Sequence, residues 1–410
     1  MMLSGPETSY VSPCYTAQNM RLYVLALLCL TILALPTHAQ WNLQDSHTTA
    51  SLRGIHNVGG GVAWASGTNG TVLRTEDGGY LWQTCAVAPG AEHLDFRGVQ
   101  AFDENTAIVM SSGNGDLSRI YKTTDGCKTW KLVFINPDAP AGFYDNLLFI
   151  TPQLGLVFGD PATGSMHNPV EGGNFILRIR VTHDGGETWI PIVSFGNPGG
   201  NFTPLANEGL FAASNSSTVL RDGTLWIGTS AGRVLRRKVY HSTEQRAHAF
   251  EAGMCGGQVD PFSKSCGIPW TDWRTATTPL SSPSDSAGIF SLALRNAQIG
   301  VAVGGDYKQP DESTRTATYT TDGGAHWLPA ESSPHGFRSA VALYEATNIW
   351  IAVGPNGTDI STDNGKNWRA LKPKPGQAAD ADKNWNALSL PFIVGPNGRI
   401  GKLRDDALKP

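Results

Sequence analysis

The sequence predicts an all-β protein, a seven-bladed β-propeller. Three observations carry this: a turn motif that recurs five times, a glycine-rich chain dense in tryptophan, and a last set of strands that the N-terminal segment can complete. The 410 residues include 47 glycines and 12 tryptophans, with 40% hydrophobic and 16% charged. That composition supports a large buried core of turn-connected strands. A formal net charge of −4 argues against nucleic acid as the main partner.

The motif reads Ser/Thr-x-Asp-x-Gly-x-x-Trp. Its copies run Thr75-Glu-Asp77-Gly-Gly79 to Trp82, Thr123-Thr-Asp125-Gly-Cys127 to Trp130, and Thr182-His-Asp184-Gly-Gly186 to Trp189. Two more run Thr320-Thr-Asp322-Gly-Gly324 to Trp327 and Ser361-Thr-Asp363-Asn-Gly365 to Trp368. The Asp carboxylate accepts backbone N–H bonds inside a tight turn, and Gly supplies a backbone angle that other residues resist. The Trp then packs between adjacent sheets as the outer strand begins. Each of the five aspartates is explained by its own turn, so they read as structural and not catalytic. The motif resembles the Asp box, or BNR repeat, of sialidases and related propellers. Cys127 departs from the glycine of the pattern.

The aspartates are spaced by 48, 59, 138 and 41 residues. The long gap holds two blades, one of which lacks its box. Gly223 to Leu235 reads as the second and third strands of that fourth blade. Residues 239–269, rich in Gly and Pro, then form an insertion on the box edge. The sequence resumes at Trp270-Thr-Asp-Trp273, where a Trp is expected at the box position. Ala387 to Gly395 and Asn397 to Leu403 make a seventh set of strands without an outer one. Trp41-Asn-Leu-Gln-Asp45 resembles the stretch after each box and is expected to close that blade, removing an open sheet edge.

Met20-Arg21, the apolar run Leu22 to Leu35 and Pro36-Thr37-His38-Ala39 describe a secretory signal peptide cut after Ala39. Residues 1–19 carry no such pattern and suit an extension ahead of the true start. A periplasmic or secreted monomer of one domain, residues 40–410, is expected, with no membrane span after cleavage. Export permits disulfides. Cys255 and Cys266, bracketing a Gly/Pro/Ser-rich loop, rank first as a pair, and Cys85 and Cys127 second. The cysteine spacings match no zinc pattern, so no metal site is expected. There is also no dinucleotide or phosphate-loop fingerprint, and no cofactor is expected.

Aligning the starts of the innermost strands gives one register position around the ring: Arg53, Arg97, Asp145, Glu208, Gly288, Arg338 and Asn386. These side chains are expected at one mouth of the central channel. Asp160, Asp306, Tyr307 and Lys308 lie in turns at the same edge, opposite the boxes. Such a ring reads either as solvation of a water-filled channel or as an anion or carboxylate site, for which the planar fork of arginine is suited.

The whole mature chain resembles the photosystem II stability/assembly-factor-like family of exported propellers. The resemblance rests on the box series, on the phrases Val303-Gly-Gly-Asp306 and Val353-Gly-Pro355-Asn-Gly357, and on the Trp41 closure. It implies a scaffold that binds a protein partner through an arginine-rich patch, which Arg53, Arg97 and Arg338 fit by position. The missing fourth box and the 239–269 insertion depart from the pattern and put a shared partner in doubt. The alternative is a glycoside hydrolase of sialidase type acting on a glycan. The same three arginines would hold a substrate carboxylate, with Asp145, Glu208 and Tyr307 as chemical groups. Leu52-Arg53-Gly-Ile55 resembles the first arginine segment of sialidases, but the proline usual there is absent, and sialidases are six-bladed where this chain counts to seven.

Overall fold

The computed structural model describes residues 40–138, 140, 142–163, 175–191, 205, 207–238, 273–280, 282–371, 378–404 and 407–408. The expected signal peptide, the 239–269 insertion, and Cys255 and Cys266 lie outside them. The described residues form seven four-stranded antiparallel sheets. Blade 1 is Leu52–Gly59, Val62–Gly67, Val72–Thr75 and Gln83–Thr84. Blade 2 is Phe96–Ala101, Ala107–Ser111, Arg119–Thr123 and Lys131–Ile135, and blade 3 is Tyr144–Phe149, Gly155–Thr163, Phe175–Thr182 and Ile190–Pro191. Blade 4 is Thr218–Arg221, Thr224–Gly228, Arg233–Lys238 and Arg274–Thr277. Blade 5 is Ala287–Leu294, Gly300–Asp306, Ala317–Thr320 and Leu328–Pro329. Blade 6 is Ala340–Tyr344, Ile349–Gly354, Gly357–Ser361 and Arg369–Ala370.

Blade 7 joins Ala387–Ser389, Phe392–Val394 and Ile400–Leu403 to Trp41–Gln44, with Trp41 opposite Leu403. The N-terminal strand thus closes the last blade as the sequence predicts. First strands of neighbouring blades touch all the way round, so they are the innermost strands of a closed ring. Second strands are sandwiched on both faces, which is why Ile349-Trp-Ile-Ala-Val-Gly354 is buried throughout instead of alternating. Among the described residues the one helical piece is a 3-10 turn, Gly115–Leu117, and no helix is long and apolar enough to cross a membrane.

The core lies between the blades. Trp82 packs among Leu52, Ala63 and Leu73 of its own blade and Phe392, Val394 and Ile400 of blade 7. Trp41 packs with Trp385 and with Ile351 and Val353 of blade 6, and donates its indole N–H to Thr358 Oγ1 at 3.1 Å. Each blade boundary is therefore a hydrophobic interface of the kind that stabilises repeat folds.

The five motif turns share one hydrogen-bond pattern. The Ser/Thr hydroxyl donates to Asp Oδ1 at 2.7–2.9 Å. The same hydroxyl accepts the N–H of Gly79, Cys127, Gly186, Gly324 or Gly365. Asp Oδ1 also accepts the N–H four residues on, at 2.9–3.0 Å. Hydrogen bonds from the Thr129 hydroxyl and N–H hold the Asp125 carboxyl down at about 2. These aspartates are ionised acceptors inside their turns.

Cys127 takes the motif's left-handed glycine position with φ 61°, a conformation that costs a non-glycine residue on the order of 1 kcal/mol. It is bonded to Cys85 across the boundary of blades 1 and 2, with the Cα atoms 5.3 Å apart. The pair ranked second from the sequence is thus formed.

Candidate functional site

All inner strands begin at one edge of the ring, and there the regular pairing breaks. Blade 1 skips a residue between Leu52 and Gly54, blade 2 between Phe96 and Gly98, blade 3 between Tyr144 and Asn146, and blade 5 between Ile289 and Ser291. The skipped residues are Arg53, Arg97, Asp145 and Phe290. A bulge re-aims the extra side chain, here at the channel mouth. In blades 6 and 7 the ladders start at Ala340 and Ala387. Ser339 and Asn386 occupy the matching place, donating their N–H groups to Val353 and Val394 carbonyls at 2.9 and 2.8 Å.

Blade 4 enlarges this feature. Ser230 N–H donates to the Gly209 carbonyl, as Ser112 N–H does to Asp95, so Leu210 stands level with Phe96. The ladder resumes at Ser217, whose carbonyl accepts Gly228 N–H at 2.8 Å. Between them the single extra residue has become a detour, 211–216. Its backbone and side chains reach blades far from its own. Ala212 O accepts Arg97 Nη1 of blade 2 at 3.3 Å, and Ser214 Oγ donates to Ser339 O of blade 6 at 3.2 Å. Asn215 clasps Leu147 of blade 3, accepting its N–H at 2.6 Å and donating to its carbonyl at 2.7 Å. Ser216 Oγ donates to Ser291 Oγ of blade 5 at 2.7 Å. A segment bonded to the inner strands of blades 2, 3, 5 and 6 crosses the channel. The mouth is a bowl floored by protein, not an open pore.

Three of the seven predicted ring positions shift. In blade 5 the ring residue is Phe290, since Gly288 pairs inside the ladder with Gly305. In blade 4 it is the detour. Glu208 lies ahead of it, and its carboxylate is taken by Arg233, by Thr229 Oγ1 at 2.7 Å and by Leu205 N–H at 2.9 Å. In blade 6 the residue is Ser339. Arg338 has no accessible surface, and both Nε and Nη2 bond Asp359, itself fully buried. It stands where other blades place Leu52, Phe96, Tyr144, Ile289 and Trp385.

The remaining ring residues do come together. Asp95 Oδ2 holds Arg97 Nε at 2.8 Å and Arg53 Nε at 3.4 Å. The two arginine side chains keep about a third of their surface, 33% and 29%, open to solvent. Two cations thus share one carboxylate. Burial, opposed by Asp95 and reinforced by Arg97, lowers the Arg53 pKa. Beside them Asp145 is 1% exposed, and its Oδ2 has no hydrogen-bond partner among the described residues. Burial, and then the charge of Asp160, pushes its carboxyl well above the ordinary range. Burial raises Asp160 as well, although Oδ1 accepts Leu210 N–H at 2.8 Å. Burial thus disfavours charge on Asp145 beside the two arginines.

The opposite side of the bowl is aromatic. Phe211 of the detour stacks on Phe290 at 3.8 Å, and Tyr307, half exposed, meets Phe290 edge-on at 6.1 Å. Lys308 Nζ lies 6.0 Å from the Tyr307 ring, and Asp306 fixes the turn by accepting Lys308 N–H and Ser284 Oγ. Asn386 donates to Leu52 O at 2.8 Å. Sequence reasoning missed Asp95, Phe290, Ser339 and the detour. Asp95, two residues before Arg97, was the one with a visible signal.

No protein-family model matches the chain, and no curated protein matches it. Solved structures do. YCF48 bound to D1 peptide matches with a TM-score of 0.52 and 16% identity, covering 90% of this chain and 98% of that one. YCF48 from Cyanidioschyzon merolae matches with a TM-score of 0.53 and 17% identity, covering 90% and 99%. An ancestral GH74 enzyme matches with a TM-score of 0.47 and 13% identity, covering 82% of this chain and 40% of that one. This chain shares its propeller fold with YCF48.

Proposed function

We propose that this chain is an exported binding propeller, periplasmic or secreted, which holds an acidic segment of a protein partner at the channel mouth. The observation that carries the reading is the pair Arg53 and Arg97 on the single carboxylate of Asp95, with part of each side chain left open to solvent. A partner carboxylate completes that pair with charge-assisted hydrogen bonds. The aromatic wall of Phe211, Phe290 and Tyr307 offers apolar contact beside it, the mixture from which interface anchors are made. The YCF48 structure with D1 peptide supports a peptide as the kind of ligand this fold accepts. The leader-like segment from Met20 to Ala39 supports export.

A sialidase-type centre needs three arginines on one anion and a tyrosine activated by a glutamate. Here Arg338 belongs to Asp359 and Glu208 to Arg233. Among the described residues no carboxylate bonds the Tyr307 hydroxyl.

The test is fluorescence anisotropy with acidic peptides ending in a free carboxylate or an amide. Arg53→Ala with Arg97→Ala is expected to weaken capture roughly tenfold or more while the fold, followed by circular dichroism, persists. Turnover of a sialoside or glycan panel, lost in Tyr307→Phe, would replace the binding reading with a hydrolase.

A further inference from the structure

On the opposite face, the edge that carries the motif turns, two blade boundaries differ in whether a carboxylate bridges a cross-strand pair of cations. At the boundary of blades 2 and 3, Lys122 and Lys131 are direct cross-strand partners. Like charges so placed repel. Glu187, three residues after Asp184 in the next blade's turn, resolves this: Oε1 binds Lys122 Nζ and Oε2 binds Lys131 Nζ, each at 2.7 Å. Those two lysines hold the Glu187 carboxyl below its usual range.

The boundary of blades 4 and 5 repeats the arrangement without the carboxylate. Arg236 and Arg274 are direct cross-strand partners, at the positions of Lys122 and Lys131. Three residues after Asp322 in the next blade's turn stands Ala325, where Glu187 would be. Neither arginine has a carboxylate within ion-pair distance among the described residues. Asp322, close enough to be felt by Arg236, is engaged by Thr320 and His326, and Asp222 by Ala297 N–H at 2.8 Å. Burial and then the charge of Arg274 lower the Arg236 pKa.

Blade 1 shows the same arginine satisfied. Arg74 lies over Trp64 as Arg236 lies over Trp226, at 5.8 and 5.9 Å. Arg74 bonds Gln83, Glu76 and Glu104 O, and Trp64 donates its N–H to Asp103 O at 3.0 Å. Arg236 Nε and Trp226 Nε1 have no partner among the described residues. A cavity of about 430 Å³ opens at this point, lined by Arg236, Arg274, Trp226, Gln298 and Ala325 among others.

We infer that this cavity is a carboxylate-binding site, in which an oxyanion from a ligand bridges Arg236 and Arg274 as Glu187 bridges the two lysines. The inference is independent of the channel mouth. Its ligand is a free di- or tricarboxylic acid or an acidic side chain of a peptide, since both present the same group.

Calorimetric titration of the full chain with succinate, with citrate and with an N-acetyl-glutamyl peptide amide, at matched ionic strength, separates the two sources. Saturable binding by either class supports the site and names its source. Arg274→Gln is expected to weaken that binding roughly tenfold or more, from the loss of charge-assisted hydrogen bonds. Ala325→Glu places the missing carboxylate in the chain itself, and is expected to abolish binding and raise Tm. The inference fails if none of the three probes binds, or if binding persists in both variants. The titrations are run in the Arg53→Ala, Arg97→Ala background, so that a probe carboxylate taken up at the channel mouth does not contribute and the two outcomes stay separate.

Discussion

Phe96-Arg97 in blade 2 and Phe337-Arg338 in blade 6 are the same dipeptide, each lying where an inner strand begins. Arg97 is a bulge residue, in contact with Asp95 and with solvent at the mouth. Arg338 stands one register position earlier, at the place Phe96 occupies in blade 2, and is sealed against Asp359. Side chains of a strand alternate, so a slip of one residue exchanges the two faces. An arginine that fills an aromatic's place in the core requires a buried partner, and Asp359 is that partner, with His335 Nδ1 at 2.7 Å on its other oxygen. Residue type and chain position are the same in the two blades. Register alone decides which arginine is available to a ligand.

The largest expected effect falls on the buried member. Arg338→Ala strips the buried Asp359 carboxylate of its guanidinium and leaves it only the His335 contacts, which costs about 3–5 kcal/mol. Urea unfolding measures this, and replacing the pair together, Arg338→Met with Asp359→Leu, is expected to recover most of the loss. A loss under about 1 kcal/mol in Arg338→Ala, the range of a surface pair, would erase the distinction.

A smaller effect is expected at Asp145, which sharpens the comparison through pH. Its folded pKa is raised above the unfolded value, so the stability linked to its neutral form is complete below the ordinary carboxylate range. That stability is lost as pH rises through the folded pKa. Asp145→Asn should therefore be more stable than the parent at neutral pH, with the advantage vanishing in acid. Melting curves across pH test this, and an advantage independent of pH contradicts it. The smallest stability effect belongs to Arg97→Ala. Partial exposure limits it to about 1 kcal/mol or less, while partner capture falls. If Arg97→Ala unfolds the protein as Arg338→Ala does, the two arginines are not different after all.

The propeller was legible because its determinants are local. Each Ser/Thr-x-Asp turn carries its own hydrogen bonds within a few residues, and Trp41 repeats the stretch that follows a box tryptophan. Arg53, Arg97, Asp145 and Asn386 were legible as ring residues because each directly follows a large buried apolar residue, Leu52, Phe96, Tyr144 or Trp385. Blades 4 to 6 were not. Asn207-Glu208-Gly-Leu has the look of a strand start, and Gly209 does bond Ser230 as Asp95 bonds Ser112. What no local pattern carries is the detour that follows, whose partners Arg97, Leu147, Ser291 and Ser339 are scattered through the sequence. The Cys85–Cys127 bond spans a blade boundary, which no local spacing displays, while Cys255 and Cys266 lie outside the described residues.

The pairing of Trp41–Gln44 with Ile400–Leu403 has a mechanical consequence. Trp41 faces Leu403, so the chain enters one strand and leaves the other at the same end. A pull on the two ends therefore peels the hydrogen bonds one after another, instead of loading them all in shear. Blade 7 is a zip in an otherwise continuous ring. A tether, a fusion or a translocation motor drawing on both ends would open the molecule there first, leaving the other six blades to unfold afterwards.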